Sequence, residues 1–247
     1  MNEFELKLDK WLGEVADKCH VIALQEKFNL DFYVFQSEVH YNPKLMFIGA
    51  NPGGGESYSE KNKIEKRQRR TKDDLGEKTN TFVKYYDTAG WKGLNPLYDM
   101  FRGNEHIEKY FKEAVITNVS YFNSGTFSKL KEKMKVVGKE PLNFCMNKNL
   151  ELIKEIIKPQ NIILMGAHAR DNFLKYLDKP LETILRNEEN NVPLIKKSFF
   201  SYTDNTNAIH IPVYIIEHPS AWNGLNNEKN VSRKRDAFEK ILNNNIL

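Results

Sequence analysis

Short apolar runs alternate along this chain with longer stretches in which apolar residues recur at helical spacing. Four runs are apolar and end in polar residues or glycine: 45–49, 114–119, 161–166 and 208–216. Such runs are typical of buried strands, whereas the helical spacing at 3–19 and 229–243 predicts amphipathic helices. The alternation predicts a three-layer α/β/α sandwich with a central, mostly parallel four-stranded sheet, in a single domain spanning residues 1–247.

Two further segments add to this pattern. Residues 195–202 are predicted to be a strand that a polar turn at 203–207 joins to the run at 208–216. Residues 54–80 are polar and have no clear period. This segment is longer than ordinary connections, which indicates a functional or mobile loop.

The composition excludes several classes of protein. Hydrophobic residues make up 40% and charged residues 28% of the 247 residues, which predicts a globular chain. No apolar run reaches the length of a membrane span, and the first residues lack the apolar core of a signal peptide. Cys19 and Cys145 are too few for a disulfide framework or a four-cysteine iron–sulfur cluster. The sequence therefore predicts a reduced, cytoplasmic protein without a membrane partner.

Charge is concentrated in one part of the chain. The net charge is only +4, but seven lysines and arginines lie between Lys61 and Lys72, opposed only by Glu65. Such a cluster, which includes Arg67, Arg69 and Arg70, is suited to binding DNA phosphates. The alternative is a solvated loop or helix face.

The glycine-rich stretch after the first predicted strand is the leading candidate site. It reads Gly49-Ala50-Asn51-Pro52-Gly53-Gly54-Gly55, and Asn51 is its one side chain with both a donor and an acceptor. Ligands bind at the carboxyl ends of strands in open parallel sheets, where such turns lie. The alternative is a plain turn in which Asn and Gly are chosen for positive φ.

The ends of all four apolar runs carry polar signatures: Gly49-Ala50-Asn51-Pro52-Gly53, Ile116-Thr117-Asn118-Val119, Leu164-Met165-Gly166-Ala167-His168-Ala169 and Glu217-His218-Pro219-Ser220. Their order and spacing resemble the uracil-DNA glycosylase superfamily. The first signature is similar to the Gly-x-Asn-Pro-Gly motif of its mismatch-specific branch, and His-Pro-Ser to its second motif. The resemblance covers roughly residues 44–225.

The resemblance implies a monofunctional DNA glycosylase, which flips a pyrimidine out of DNA and hydrolyses its N-glycosidic bond to leave an abasic site. It implies that Asn51 holds a water against C1′ of the sugar. His218, as neutral imidazole, would stabilise the negative charge that develops on the leaving pyrimidine. Asn118 would pair with one edge of the base.

The remaining implied contacts fall into three groups. One group lines the base pocket: Gly49, Ala50, Pro52, Gly53 and an aromatic platform from Phe82, Tyr85 or Tyr86. Another contacts the DNA backbone: Gly54, Gly55 and Ser220. Arg67, Arg69 and Arg70 are added to it because of their charge alone, since the resemblance does not explain the segment 56–80. A third wedges into the gap that the flipped base leaves: Trp222 or Leu225. No metal-ligand spacing is present, and neither a cofactor nor an obligatory protein partner is expected.

Each role has a structural alternative. Asn118 can cap a turn, His218 can be a core histidine, and most aromatics at 82–101 are expected in the core. His168 is expected to be structural. Two other functions also remain open: a catalytically weak nucleic-acid-binding module of the same fold, and a nucleotide-binding α/β protein, which ranks last because it lacks phosphate-binding motifs.

The chain departs from the superfamily in ways that affect the substrate. Its first motif lacks the Asp or Glu with which some branches activate water, and the four cysteines of the iron–sulfur branch are missing. Gly54, Gly55 and the segment that follows leave space beside the first motif. Uracil or a mismatched pyrimidine is the default substrate, and a bulky 5-modified pyrimidine of the kind found in viral DNA is the alternative.

Overall fold

A mixed β-sheet forms the centre of the protein in this computed structural model, which describes residues 1–55, 57–204, 206–221 and 224–243. Across these residues the sheet has six strands: β1 Met46–Gly49, β2 Val115–Asn118, β3 Ile162–Met165, β4 Glu182–Arg186, β5 Pro193–Asp204 and β6 Asn207–Ile216. Their spatial order is β2-β1-β3-β6-β5-β4. The fold is therefore α/β, as the sequence predicts.

The prediction of a four-stranded sheet is wrong in strand number. Strands β2, β1, β3 and β6 are mutually parallel, but β5 and β4 extend the sheet as antiparallel neighbours. The hairpin of β5 and β6 is confirmed, with Asp204 opposite Asn207. Strand β4 has no counterpart in the prediction because it is an edge strand whose residues are exposed or half-buried, so it lacks a buried apolar run.

Helices cover both faces of the sheet. Alternate residues of β1 belong to different cores: Met46 and Ile48 pack in one, and Phe47 packs in the other. Because successive side chains of a strand point to opposite faces, the two cores lie on the two sides of the sheet. This arrangement is compatible with an α/β sandwich.

The described residues contain nine α-helices: α1 Glu3–Ala23, α2 Tyr58–Ile64, α3 Thr81–Lys84, α4 Asn95–Asp99, α5 Glu105–Lys112, α6 Phe127–Val137, α7 Glu140–Glu151, α8 Gly166–Phe173 and α9 Glu228–Asn243. Helix α7 continues as a π-helix, Leu152–Ile157, and ends before Pro159. Helices α1, α6, α7 and α8 contribute to the core that contains Met46, and α4, α5 and α9 to the core that contains Phe47. None of the described helices is long and apolar enough to cross a membrane.

The amphipathic patterns at the two ends of the chain do form helices. Helix α1 begins with a capping box, in which the Asn2 side chain accepts from the Glu5 backbone and the Glu5 side chain accepts from the Asn2 backbone. It buries Trp11, Val15 and Cys19 at helical spacing. Cys19 and Cys145 are both buried and free.

The polar segment 57–80 is held against the body of the protein. It contains α2 and a short 3₁₀ helix, Lys72–Asp74, and its residues form isolated bridges with Leu30 and Phe35. The hydroxyl of Tyr58 accepts from the backbone N–H of Arg70 at 3.0 Å and contacts His20 Nδ1 at 2.8 Å. The sequence pattern does not predict that this segment is ordered, because long-range contacts hold it in place rather than a regular apolar period.

Candidate active site

A cleft of about 950 Å³ opens where the four parallel strands end. The turn after β1, Asn118 at the end of β2, Met165 at the end of β3 and His218 just after β6 all line it. This is the edge at which parallel sheets bind ligands. The structure thus brings the polar signatures of all four strands into one cleft.

Backbone hydrogen bonds hold the turn after β1 in place. The N–H groups of Val119, Ser120 and Ser124 donate to the carbonyls of Gly49, Ala50 and Pro52, at 2.9, 3.1 and 3.1 Å. The turn is therefore fastened to the segment that follows β2. Gly54 has φ of +127°, which a residue with a side chain rarely adopts, and a Cβ there would meet the Asn123 side chain.

The orientation of the Asn51 amide follows from its contacts. Its Nδ2 donates to the carbonyl oxygens of Pro52 and Ser124, both at 2.8 Å. Because carbonyl oxygens only accept, the NH₂ group must face them. The Asn51 Oδ1 receives no hydrogen bond from the described residues and is left as an acceptor at the wall of the cleft.

Asn118 lies beside Gly49 in the paired strands β1 and β2. A Cβ on Gly49 would overlap the Asn118 Oδ1, so glycine is required for the amide to occupy this position. The Asn118 Nδ2 donates to Gln36 Oε1 at 3.4 Å, and the Asn118 carbonyl accepts from Asn149 Nδ2 at 2.9 Å. Gln36 also lines the cleft, and the sequence offered no signal for it.

His218 is held by the residues that follow it. The backbone N–H of Ser220 donates to His218 Nδ1 at 3.3 Å, and the Ser220 hydroxyl lies 2.8 Å from the same nitrogen. A backbone N–H only donates, so Nδ1 is an acceptor and the proton of the neutral ring sits on Nε2. Burial lowers the pKa of His218; Glu217 opposes this shift and His168 adds to it. The neutral imidazole is thus the favoured form.

Behind His218 lies Gly166, the first residue of α8. It has φ of +84°, and a Cβ on it would come within 3.0 Å of the His218 Cβ. His168, on the same helix, lines the cleft and stacks on Phe127 with 4.6 Å between ring centroids. His168 therefore packs on Phe127 and also borders the cleft, so its structural role stays a prediction.

A buried lysine supports the loop that carries His218. Lys234, on α9, is fully buried and donates to the Leu225 carbonyl at 2.9 Å and to Asn226 Oδ1 at 2.8 Å. The Asn226 Nδ2 in turn donates to the carbonyls of His218 and Pro219, at 2.8 and 3.0 Å. Burial lowers the pKa of Lys234 to about 8. A lysine in an amphipathic helix is normally expected on the solvated face, so the sequence did not indicate this role.

The aromatic residues separate into two groups. Phe82 and Tyr85 line the cleft together with Trp91, which stacks on Tyr85 at 5.1 Å between centroids. Tyr86 is not among the residues that line it: its hydroxyl donates to Asp99 at 2.8 Å and its ring packs on Tyr98. A platform role is therefore open to Phe82 and Tyr85 and not supported for Tyr86.

Several expected DNA contacts have other partners. Leu225 is buried in the core beside the sheet, so it is not placed to wedge into DNA. Ser220 is engaged with His218, as described above. Trp222 lies outside the described residues. Gly53 and Gly55 have open space where a Cβ would stand, which leaves their backbone accessible.

The arginines of the basic cluster form ion pairs. Arg70 is buried and donates to both carboxylate oxygens of Asp31, at 3.1 and 2.6 Å. Arg67 pairs with Glu65 and lies 3.9 Å from Asp31, while exposed Arg69 pairs with Asp17 at 2.9 Å. The expectation of a free phosphate-binding arm is therefore corrected for Arg70, because its guanidinium already has a buried partner.

No protein-family model matches this sequence, and no curated protein is significantly similar to it.

Proposed function

We propose that this protein is a monofunctional DNA glycosylase with a fold like that of the uracil-DNA glycosylases. The observation that carries the proposal is the pairing of Asn51 and His218 in one cleft. Asn51 offers a fixed acceptor through Oδ1, and His218 offers a neutral donor through Nε2. Hydrolysis of an N-glycosidic bond needs both groups, one for the water and one for the leaving base.

Recognition of the base is assigned to the amides and aromatic rings of the cleft. A pyrimidine in a duplex is shielded by stacking and pairing, so the nucleotide must first be flipped out. The amides of Asn118 and Gln36 supply donors and acceptors for the edge of the base. The rings of Phe82, Tyr85 or Trp91 supply an apolar surface for its face.

The chemical step depends mainly on stabilising the leaving group. Water held by Asn51 Oδ1 adds its oxygen to C1′, while the N-glycosidic bond breaks and its electron pair stays on the pyrimidine. His218 Nε2–H donates to the pyrimidine oxygen on which negative charge collects. The proton that water loses passes to solvent, and the departing pyrimidine anion takes up a proton. An amide is a poor base, so Asn51 orients the water without deprotonating it.

On the sequence resemblance alone, uracil or a mismatched pyrimidine is the default substrate. The alternative substrate is a bulky modified pyrimidine of viral DNA, whose excision would be a defence activity. A catalytically weak DNA-binding module is the second candidate function, favoured by the lack of a carboxylate in the turn at 49–55. We also propose that the protein acts in the cytoplasm, because its two cysteines are free.

The test is release of bases from labelled duplexes containing uracil, thymine opposite guanine, or 5-substituted cytosines. Strand cleavage after alkali reports abasic sites. We expect cleavage with the wild type, almost none with Asn51→Ala, and normal folding of that variant because Asn51 lies outside the core. Duplex binding without cleavage of any substrate would identify a binding module. Wild-type rates in Asn51→Ala would reject the assigned role of Asn51.

A further inference from the structure

A second cavity adjoins the candidate active site. It has a volume of about 810 Å³ and shares three wall residues with the first cleft: Tyr33, Glu77 and Asn123. The rest of its wall comes largely from the polar segment 57–80. The two cavities are therefore neighbours across a common boundary, and a group bound in the first cleft can extend toward the second.

Both signs of charge line this second cavity. Its basic side chains are Lys61, Arg67, Arg70, Lys78 and Lys84, and its acidic side chains are Asp31, Glu65, Asp74 and Glu77. Many of them pair with each other, as Arg70 does with Asp31 and Lys84 with Glu77 at 3.4 Å. Such a wall offers donors and acceptors side by side and little net charge, which does not favour a simple anion or cation.

Two wall residues keep polar atoms without a hydrogen-bond partner among the described residues. Arg67 Nη2 is a buried donor of this kind, and Asn123 Oδ1 is a buried acceptor. Both atoms are covered by their neighbours, so a ligand meets the exposed part of the wall, where donors and acceptors lie side by side. A hydroxyl group both donates and accepts, so a ligand with several hydroxyls suits such a wall.

We propose that the second cavity receives a hydroxyl-bearing substituent, such as a sugar, carried on C5 of the flipped pyrimidine. Position C5 lies outside the Watson–Crick edge, so a substituent there leaves pairing in the duplex intact. The base occupies the first cleft, and its substituent passes the boundary formed by Tyr33, Glu77 and Asn123 into the second cavity. This inference rests on the proposed glycosylase function and names its substrate class.

The probes are matched duplexes that contain uracil, 5-hydroxymethylcytosine or glucosylated 5-hydroxymethylcytosine. Thr79 is exposed and lines only the second of the two cavities, so Thr79→Trp adds bulk at the wall of that cavity and leaves the first unchanged. Thr203→Trp, at an exposed position of β5 outside both cavities, is the matched control. Thr79→Phe is a smaller replacement in case the first variant folds poorly, and thermal unfolding checks all three.

We expect the wild type to release the glucosylated base at least tenfold faster than uracil. Thr79→Trp and Thr79→Phe should slow that release at least tenfold and leave the release of uracil unchanged. Thr203→Trp, the control, should slow neither release. Release of uracil as fast as the glucosylated base, or equal slowing of both bases by the Thr79 variants, overturns this inference alone. Failure to release a base from any duplex contradicts the proposed function itself.

Discussion

The backbone N–H of Ser220 points at Nδ1 of His218, 3.3 Å away, and so fixes which nitrogen of the ring carries the proton. The same nitrogen receives the Ser220 hydroxyl at 2.8 Å. A histidine held in this way presents Nε2–H as a donor without being charged. Since burial also lowers its pKa, the ring stays neutral at pH 7.

The first prediction concerns the pH dependence of excision. If neutral His218 is the donor, the single-turnover rate should be constant above pH 6.5 and fall only below it, because the pKa of His218 is lowered from its ordinary value of 6.5. His218→Leu should slow the chemical step at least about tenfold and retain duplex binding. Ser220→Ala keeps the backbone N–H that donates to His218, so it should slow the chemical step much less than His218→Leu does. A rate that rises on acidification through pH 6 would assign the activity to the charged ring.

The second prediction concerns Gly166, which packs against His218. Gly166→Ala forces a side chain onto a residue with φ of +84° and places its Cβ within 3.0 Å of the His218 Cβ. We expect a loss of about 1–3 kcal/mol in the free energy of unfolding and slower excision, because the ring must shift.

Gly13→Ala is the control for that experiment. Gly13 lies inside α1, and a Cβ there meets nothing within 4 Å. Alanine should stabilise this helix by about 0.5–1 kcal/mol and leave excision unchanged. Urea unfolding measures the stability of both variants, and single-turnover rates measure their excision. Equal stability of the two variants would show that the backbone at Gly166 is not strained.

The third prediction separates structural from DNA-binding arginines. Arg70→Met leaves Asp31 buried without its partner and should cost about 3–5 kcal/mol in the free energy of unfolding. Arg69→Met breaks an exposed pair with Asp17 and should cost at most about 1 kcal/mol. Chemical denaturation measures both values. A small loss for Arg70→Met would indicate that its side chain is free to bind a phosphate.

The sequence predicted the parts of the fold that arise from local periodicity. The apolar runs gave the buried strands, and the polar residues after them marked the cleft, because strand ends of a parallel sheet meet at one edge. Edge strand β4 has only exposed and half-buried residues, so the sequence has no apolar run there from which to predict it.

Other features of the site depend on contacts between distant residues. Gln36 reaches Asn118 across 82 positions of the chain, and Arg70 reaches Asp31 across 39. A basic run in the sequence indicates charge but does not show whether a buried carboxylate neutralises it. Sequence position likewise does not show that Leu225 is buried in the core or that half-buried Tyr86 packs against that core.

Lys234 provides the last prediction, which links stability to pH. Burial lowers its pKa to about 8, whereas a lysine in an unfolded chain titrates near 10.4. Between these two values the unfolded chain holds a proton that the folded chain has lost, so the free energy of unfolding should rise with pH. The full rise corresponds to roughly 3 kcal/mol, at about 1.4 kcal/mol for each unit of pKa.

Lys234→Met removes this titration, whereas Lys240→Met changes an exposed lysine of the same helix and should retain it. Unfolding by urea at intervals from pH 7 to pH 10 measures the difference between the two variants. Lys234→Met also deprives Asn226 of a donor, and Asn226 holds the carbonyls of His218 and Pro219. Excision should therefore slow in Lys234→Met but not in Lys240→Met. The same rise of stability with pH in both variants would show that Lys234 does not titrate in this range.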